Sequence, residues 1–136
     1  MPQEIQISRT PSEINLVGLE ITQNECIQNS FAIAQQNPKT QIVEGLIIAI
    51  DYKNNAKPMC HLWNKIGDKY FDVTSEAIWA DTETAKETKE IKYFQVKEFK
   101  SSDLKAGQLF EFSPETYEEV NAVNDILSWN EKHGHQ

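Results

Sequence analysis

The chain is predicted to be an α+β domain in which a cysteine-bearing N-terminal helix packs on an antiparallel β-sheet, with a C-terminal helix closing it. Three observations predict this. A helix-period stripe follows Cys26, a run of β-branched residues spans 42–52, and Ser113-Pro114-Glu115 opens a second apolar-striped segment. The length of 136 residues suits one domain, and 39% hydrophobic with 25% charged residues is enough for a packed core. The reading is a single domain over 1–136, with its chemistry in 22–74 and a sheet extension and C-terminal helix in 91–132.

Each element has its own signal. Residues 3–8 alternate weakly (Gln3, Glu4, Ile5, Gln6, Ile7, Ser8) and read as a short edge strand. The apolar stretch 14–21, interrupted by Gly18, reads equally as a short helix or an extended lead-in. Thr22-Gln23-Asn24-Glu25 has the form of a capping box, so a helix should begin there and run to about Gln36. Ile27, Phe31 and Ala34 form its stripe, with Cys26, Ser30 and Ile33 alongside. Asn37-Pro38 should end it, with Asn in the left-handed position.

The run 42–52 reads as a buried strand and Asn54-Asn55 as a turn. Residues 59–64 and 69–73 read as a hairpin across Lys65-Ile66-Gly67-Asp68. A helical turn over 75–80 would be anchored by Ile78 and Trp79, and the charged run 81–90 reads as an exposed loop. Residues 91–99 and 108–112 read as strands. The last helix takes Ser113 as N-cap, Pro114 at the first position, and an apolar face of Tyr117, Val120, Val123 and Leu127.

Bulk properties exclude several roles. A net charge of −8 and a pI near 4.8 repel phosphate, which argues against a nucleic-acid partner. No stretch is basic and amphipathic or long and apolar, so no membrane partner is expected. No charged start followed by an apolar run is visible, so the default is a soluble cytoplasmic protein; a trimmed leader or another secretion route stays open. Cys26 and Cys60 form no Cys-x-x-Cys pair and read as free thiols. His133 and His135 lie in a polar tail without further clustered ligands, so neither a metal nor another cofactor is expected.

The chemistry-bearing residues are Cys26, His61 and Asp72. Across the hairpin, a turn at Ile66-Gly67 puts His61 opposite Asp72. A turn at Gly67-Asp68 puts His61 opposite Thr74 and Asp72 opposite Trp63, which leaves the two side chains diagonal on one face. Either register brings the carboxylate to the imidazole, where it would fix the tautomer and leave one ring nitrogen for a thiol. Cys26 falls in the first turn of its helix, where free N–H groups and the helix dipole favour a thiolate. Its own N–H, with Gln23 or Asn24, is a candidate donor for an oxyanion. Trp63 shares the His61 face and reads first as a core residue, with a shield over the His–Asp bond or a place in the substrate site as the alternatives. Cys60 should point to the opposite face and be buried, and Glu44 reads as a strand-end marker in preference to a hydrogen-bonding group near the site.

The pieces Asn24-Glu25-Cys26-Ile27-Gln28-Asn29-Ser30, Val43-Glu44-Gly45, His61-Leu62-Trp63-Asn64 and Tyr70-Phe71-Asp72-Val73-Thr74 resemble the minimal papain-like and transglutaminase-like cysteine enzymes. The resemblance covers about half the chain, 22–74. It implies Cys26 as nucleophile, His61 as base, Asp72 as orienter and, loosely, Gln23 as oxyanion donor. It implies a hydrolase or acyl transferase acting through a thioester on a peptide, protein or peptidoglycan-like amide. It leaves open a member of the fold that has lost activity and only binds a peptide or partner protein.

Overall fold

A computed structural model of the chain describes residues 2–23, 25–80, 86–104 and 109–133. The expectations on Asn24, 81–85, Gln108 and His135, and on the side chains of Ile78, Trp79 and His133, lie outside the described residues. The architecture is α+β, as the sequence predicts. Strands β1 (Gln3–Ile5) and β2 (Ile7–Ser8) precede helix α1 (Cys26–Gln36). Then come β3 (Thr40–Asp51), β4 (Ala56–Ile66), β5 (Lys69–Phe71), α2 (Val73–Ala80), β6 (Thr88–Phe99), a 3-10 turn at Ser101–Asp103, and α3 (Pro114–His133). Among the described residues no helix is long and apolar enough to cross a membrane.

The six strands form one sheet in the order β1-β6-β3-β4-β5-β2. One residue, Gln6, separates β1 from β2, yet these two strands occupy opposite edges. The edges must therefore approach each other, and the sheet curls on itself. The sheet is antiparallel as expected except at one edge, where β2 runs parallel to β5. The single edge strand read over 3–8 is likewise two strands, one on each edge.

Alternation sorts the side chains onto two faces. Val43, Ile47, Trp63 and Tyr93 pack with Ile5 on one face. Ile42 and Leu62 pack on the other against Ala34, Cys26, Ile27 and Phe31 of α1, which is the predicted stripe. A β-bulge explains how one strand serves both faces. On β3, Glu44 and Gly45 are adjacent, but their β6 partners are Lys97 and Gln95, so Val96 is the extra residue. Beyond it the parity of β6 flips: Tyr93 joins the Trp63 face while Phe99 joins the α1 face. Gly45 is needed at this point, because a Cβ there would overlap the Phe94 carbonyl oxygen and stand 2.8 Å from Cη2 of Trp63. Gly45→Ala should therefore lower the unfolding free energy by about 2–3 kcal/mol or more, read as a fall in the urea midpoint.

Other departures have local causes. The capping box does not form; α1 starts at Cys26 with Glu25 at the N-cap and no side-chain cap. Thr22 is instead held by Asn29, whose Oδ1 accepts from the Thr22 N–H at 3.2 Å and whose Nδ2 donates to the Thr22 carbonyl at 2.8 Å. Asn37 ends the helix at φ −125°, outside the left-handed region, because its Nδ2 donates to Ile33 O at 3.0 Å and its Oδ1 accepts from Asn15 N at 2.8 Å. Residues 14–21 form turns without a regular element. The expected strand over 108–112 is absent from its described part, Leu109 to Phe112. Its aromatics pack on the α1 side of the sheet instead of pairing as a strand: Phe110 lies 5.6 Å from Phe31 and 5.7 Å from Phe99. On α3, Tyr117 is 51% exposed, so the predicted apolar face is reduced to the half-buried Val120, Val123 and Leu127.

Candidate functional site

The hairpin adopts the second of the two predicted registers. Lys65 pairs with Tyr70 and Ile66 with Lys69, which makes Gly67-Asp68 the turn, and Gly67 takes φ +60° as such a turn requires. Strand β5 stops at Phe71, so Asp72 does not lie on a strand as expected. It is the residue before α2, and its Oδ1 accepts from the Ser75 N–H at 3.3 Å as an N-cap. The helix accordingly starts earlier than predicted, at Val73.

This position aims the other carboxylate oxygen at the histidine. His61 Nε2 stands 2.8 Å from Asp72 Oδ2. The same oxygen accepts from Ser75 Oγ at 2.6 Å and from Tyr93 Oη at 2.7 Å, and the two hydroxyls lie 2.6 Å from each other. Two hydroxyl protons serve three contacts, so the carboxylate is always offered at least one of them. All four side chains are nearly removed from solvent, at 6% for His61 and 1% for Asp72.

Burial and pairing compete in the electrostatics. Burial lowers the His61 pKa, but the Asp72 charge and hydrogen bond, together with a hydrogen bond and charge from Cys26, push it up to about 10. Burial raises Asp72, and the His61 charge with the hydrogen bonds from His61, Ser75 and Tyr93 outweighs it and holds the carboxyl below its usual range. Burial and the Asp72 charge push Tyr93 well above its ordinary value, so its hydroxyl stays a donor. The resting pair is imidazolium and carboxylate.

A pH dependence follows. His61 has a folded pKa above its unfolded value of 6.5, so its contribution is complete below pH 6.5 and disappears as pH rises through about 10. The Asp72 contribution is present above 3.8 and disappears as pH falls through its lowered folded value. The unfolding free energy from urea titrations should therefore fall between about pH 6.5 and pH 10, by up to about 1.4 kcal/mol per pH unit, and His61→Gln should flatten that decline.

Cys26 reaches this pair from α1. Beyond Asn64, β4 has no partner on the β5 side, because β5 pairs only with Asn64, Lys65 and Ile66. The start of α1 meets β4 along this open stretch, and Cys26 is near enough to act on both His61 and Cys60. With Nε2 taken by Asp72, Nδ1 is the ring nitrogen left for the sulfur. Cys26 is the first residue of α1 and is half-buried, so its sulfur stands at a helix N-terminus, where the first-turn N–H groups have no intrahelical acceptor. Asn29 fixes α1 to the far side of the pair, since its Nδ2 also donates to Thr74 Oγ1 at 2.9 Å, two residues past Asp72.

The remaining candidates separate. Gln23 is exposed, and its Nε2 donates to the Ala77 carbonyl at 3.2 Å, which ties it to α2. Trp63 is 0% exposed, so it cannot be a substrate wall; it stacks behind His61 at 6.1 Å and meets Tyr93 edge-on at 5.2 Å. Cys60 does share the α1 side of β4, but it is half-buried, not buried. Burial, then the charge of Glu44, then Cys26 push its thiol up. Glu44 is no strand-end marker: it lies inside β3, fully buried, and holds the start of α3. A cavity of about 640 Å³ lies at the β3–β4 turn, and its described lining includes none of Cys26, His61 and Asp72.

Three residues of the network carried no signal in the sequence. Ser75 was readable only as a helix start, and Tyr93 only as an apolar strand position. Asn29 stood in the motif around Cys26 with no role of its own. Among the described residues no group of three or more His, Cys, Asp or Glu is placed to hold a metal ion. Comparison of the chain with protein-family models, with curated proteins and with solved structures finds no match.

Proposed function

We propose that the protein is a cysteine-dependent amide hydrolase or acyl transferase, related to the papain-like and transglutaminase-like enzymes, with Cys26, His61 and Asp72 as its working set. The observation that carries this is the 2.8 Å His61–Asp72 pair with Cys26 acting on the same ring. A lone buried histidine needs only one partner. This one has a carboxylate fixed by three further donors on one side and a helix-start thiol on the other.

In this reading Cys26 attacks as the thiolate while His61 holds the proton. The Cys26–carbonyl bond forms as the amide π pair moves to oxygen, where free N–H groups of the first turn of α1 receive it. The C–N bond then breaks, His61 gives its proton to the leaving amine, and a thioester remains for water or a second amine. Asp72 keeps the ring oriented and protonated, and Tyr93 and Ser75 position Asp72.

The test is acylation by an activated ester such as p-nitrophenyl acetate, followed by peptide mapping. An acyl group on Cys26 that is absent from Cys26→Ala supports the reading; acylation of Cys60 alone, or of neither thiol, opposes it. One observation favours a second reading, a module that binds a peptide or partner protein without turnover: the Gln23 amide is engaged by Ala77 and does not stand free as an oxyanion donor. Under that reading Cys26→Ala would leave the cellular role intact.

A further inference from the structure

Asn29 is a buried amide on α1, 2% exposed and three residues after Cys26. Burying an amide costs stability unless its hydrogen bonds are made. Asn29 makes three, and all of them go to segments outside its own helix. Its Oδ1 accepts from the Thr22 N–H at 3.2 Å, and its Nδ2 donates to the Thr22 carbonyl at 2.8 Å and to Thr74 Oγ1 at 2.9 Å. Docking of the helix does not need these bonds. Asn64 Nδ2 already ties the middle of α1 to the sheet, donating to Ser30 O at 3.1 Å, and Ile33 and Ala34 are buried.

The two partners belong to the two sides of the site. Thr22 opens the turn that leads into Cys26, since its carbonyl also accepts from the Glu25 N–H at 3.3 Å. Thr74 lies in the first turn of α2, two residues past Asp72, and is itself 2% exposed. Asn29 therefore joins the segment that brings the sulfur to the segment that brings the carboxylate, and His61 interacts with both. The start of α1 points the same way. A side-chain N-cap occupies one of the first-turn N–H groups, and α1 has no such cap. Asn29 fixes the entry of the chain from inside the helix and takes none of the N–H groups that would receive an oxyanion.

We propose that Asn29 is a positioning residue for the reaction at Cys26. Through Thr22 it sets the path by which the chain enters α1. Through Thr74 it holds that path in register with the His61–Asp72 pair. The proposal rests on the thiol reading above, and it adds a residue that touches neither the substrate nor the reacting atoms. Its effect is exerted through geometry, where a displacement of about 1 Å can cost about 100-fold in rate.

The test compares two reactions of Cys26 in the full chain, acylation by p-nitrophenyl acetate and alkylation by iodoacetamide, each mapped by peptide mass spectrometry. Alkylation needs only the thiolate, whereas acylation also needs the carbonyl oxygen to meet its donors. Asn29→Ala should lower acylation by about 30-fold or more, and alkylation by less than about tenfold. Thr74→Val removes the acceptor of the Asn29 amide and should lower acylation about five- to tenfold, while Thr74→Ser keeps the hydroxyl and should restore it to within about twofold of the parent. This pair decides the matter if Asn29→Ala does not fold. NMR of the His61 ring gives a signature that a loss of stability alone does not produce. Nδ1, the nitrogen left for the sulfur, should shift in Thr74→Val more than Nε2, which Asp72 holds. Ile33→Val is the packing control on the same helix; it should lower the urea midpoint and leave both rates as they are. Parent-like rates and ring shifts in Thr74→Val, with Cys26 of the parent acylated, would overturn this proposal alone. A parent whose Cys26 is not acylated would overturn the thiol reading and this proposal with it.

Discussion

Asp72→Asn is expected to lower the unfolding free energy by about 3–5 kcal/mol, the range for removing one partner of a buried ion pair. Asp72 is 1% exposed, and its Oδ2 accepts from His61, Ser75 and Tyr93. An amide in its place leaves a buried imidazolium without its counter-charge. If the Asn nitrogen turned to that side, it would also set a donor against donors. His61→Gln in the same chain should recover part of the loss, because the unpaired charge is then gone. Urea unfolding of the four members of this cycle should give a coupling of more than about 1.5 kcal/mol. A loss below about 1 kcal/mol for Asp72→Asn would mean that the pair does not exist as described.

The second large effect is expected at the thiol. His61→Gln removes the proton holder beside Cys26 while keeping a polar side chain near Asp72. Carboxymethylation of Cys26 near neutral pH should slow by about tenfold or more, and any acylation of Cys26 by an activated ester should fall by about 100-fold or more. Tyr93→Phe is a milder companion. It removes one donor from Asp72 Oδ2 but leaves Ser75 in place, so the rate should fall less and the decline should shift with pH, which a change of packing alone would not cause. Unchanged Cys26 reactivity in His61→Gln would separate the sulfur from the pair.

The His61–Asp72 contact is expected from parity across a short hairpin, but the structure reaches it by another route, with Asp72 past the end of β5 at the N-cap of α2. Gly67-Asp68 and Ile66-Gly67 turns differ in register by an even step, so both keep the two side chains on one face. Cys26 at a helix start was legible through the stripe of Ile27, Phe31 and Ala34, even though the expected cap is absent. Tyr93 was not legible, since its face depends on the bulge at Val96, and nothing in Tyr93-Phe94-Gln95-Val96 announces an extra residue. Glu44 misled for a related reason. An acid within a β-branched run reads as a boundary, and its partners Ser113 and Thr116 are brought to it only by the tertiary fold. The aromatics at 110 and 112 alternate as a strand would, and only the tertiary fold shows that they pack with Phe31 and Phe99 instead.

The position of Cys60 makes the most direct test a comparison within one molecule. Both thiols are half-buried, both lie by β4, and burial with the Glu44 charge pushes the Cys60 thiol up. The measurement is the rate of iodoacetamide alkylation at each cysteine of the native chain near neutral pH, resolved by peptide mass spectrometry. Alkylation of Cys26 at least about tenfold faster than of Cys60, and faster than of a model thiol, is the predicted result. Equal, slow labelling of the two would contradict an activated nucleophile at the start of α1.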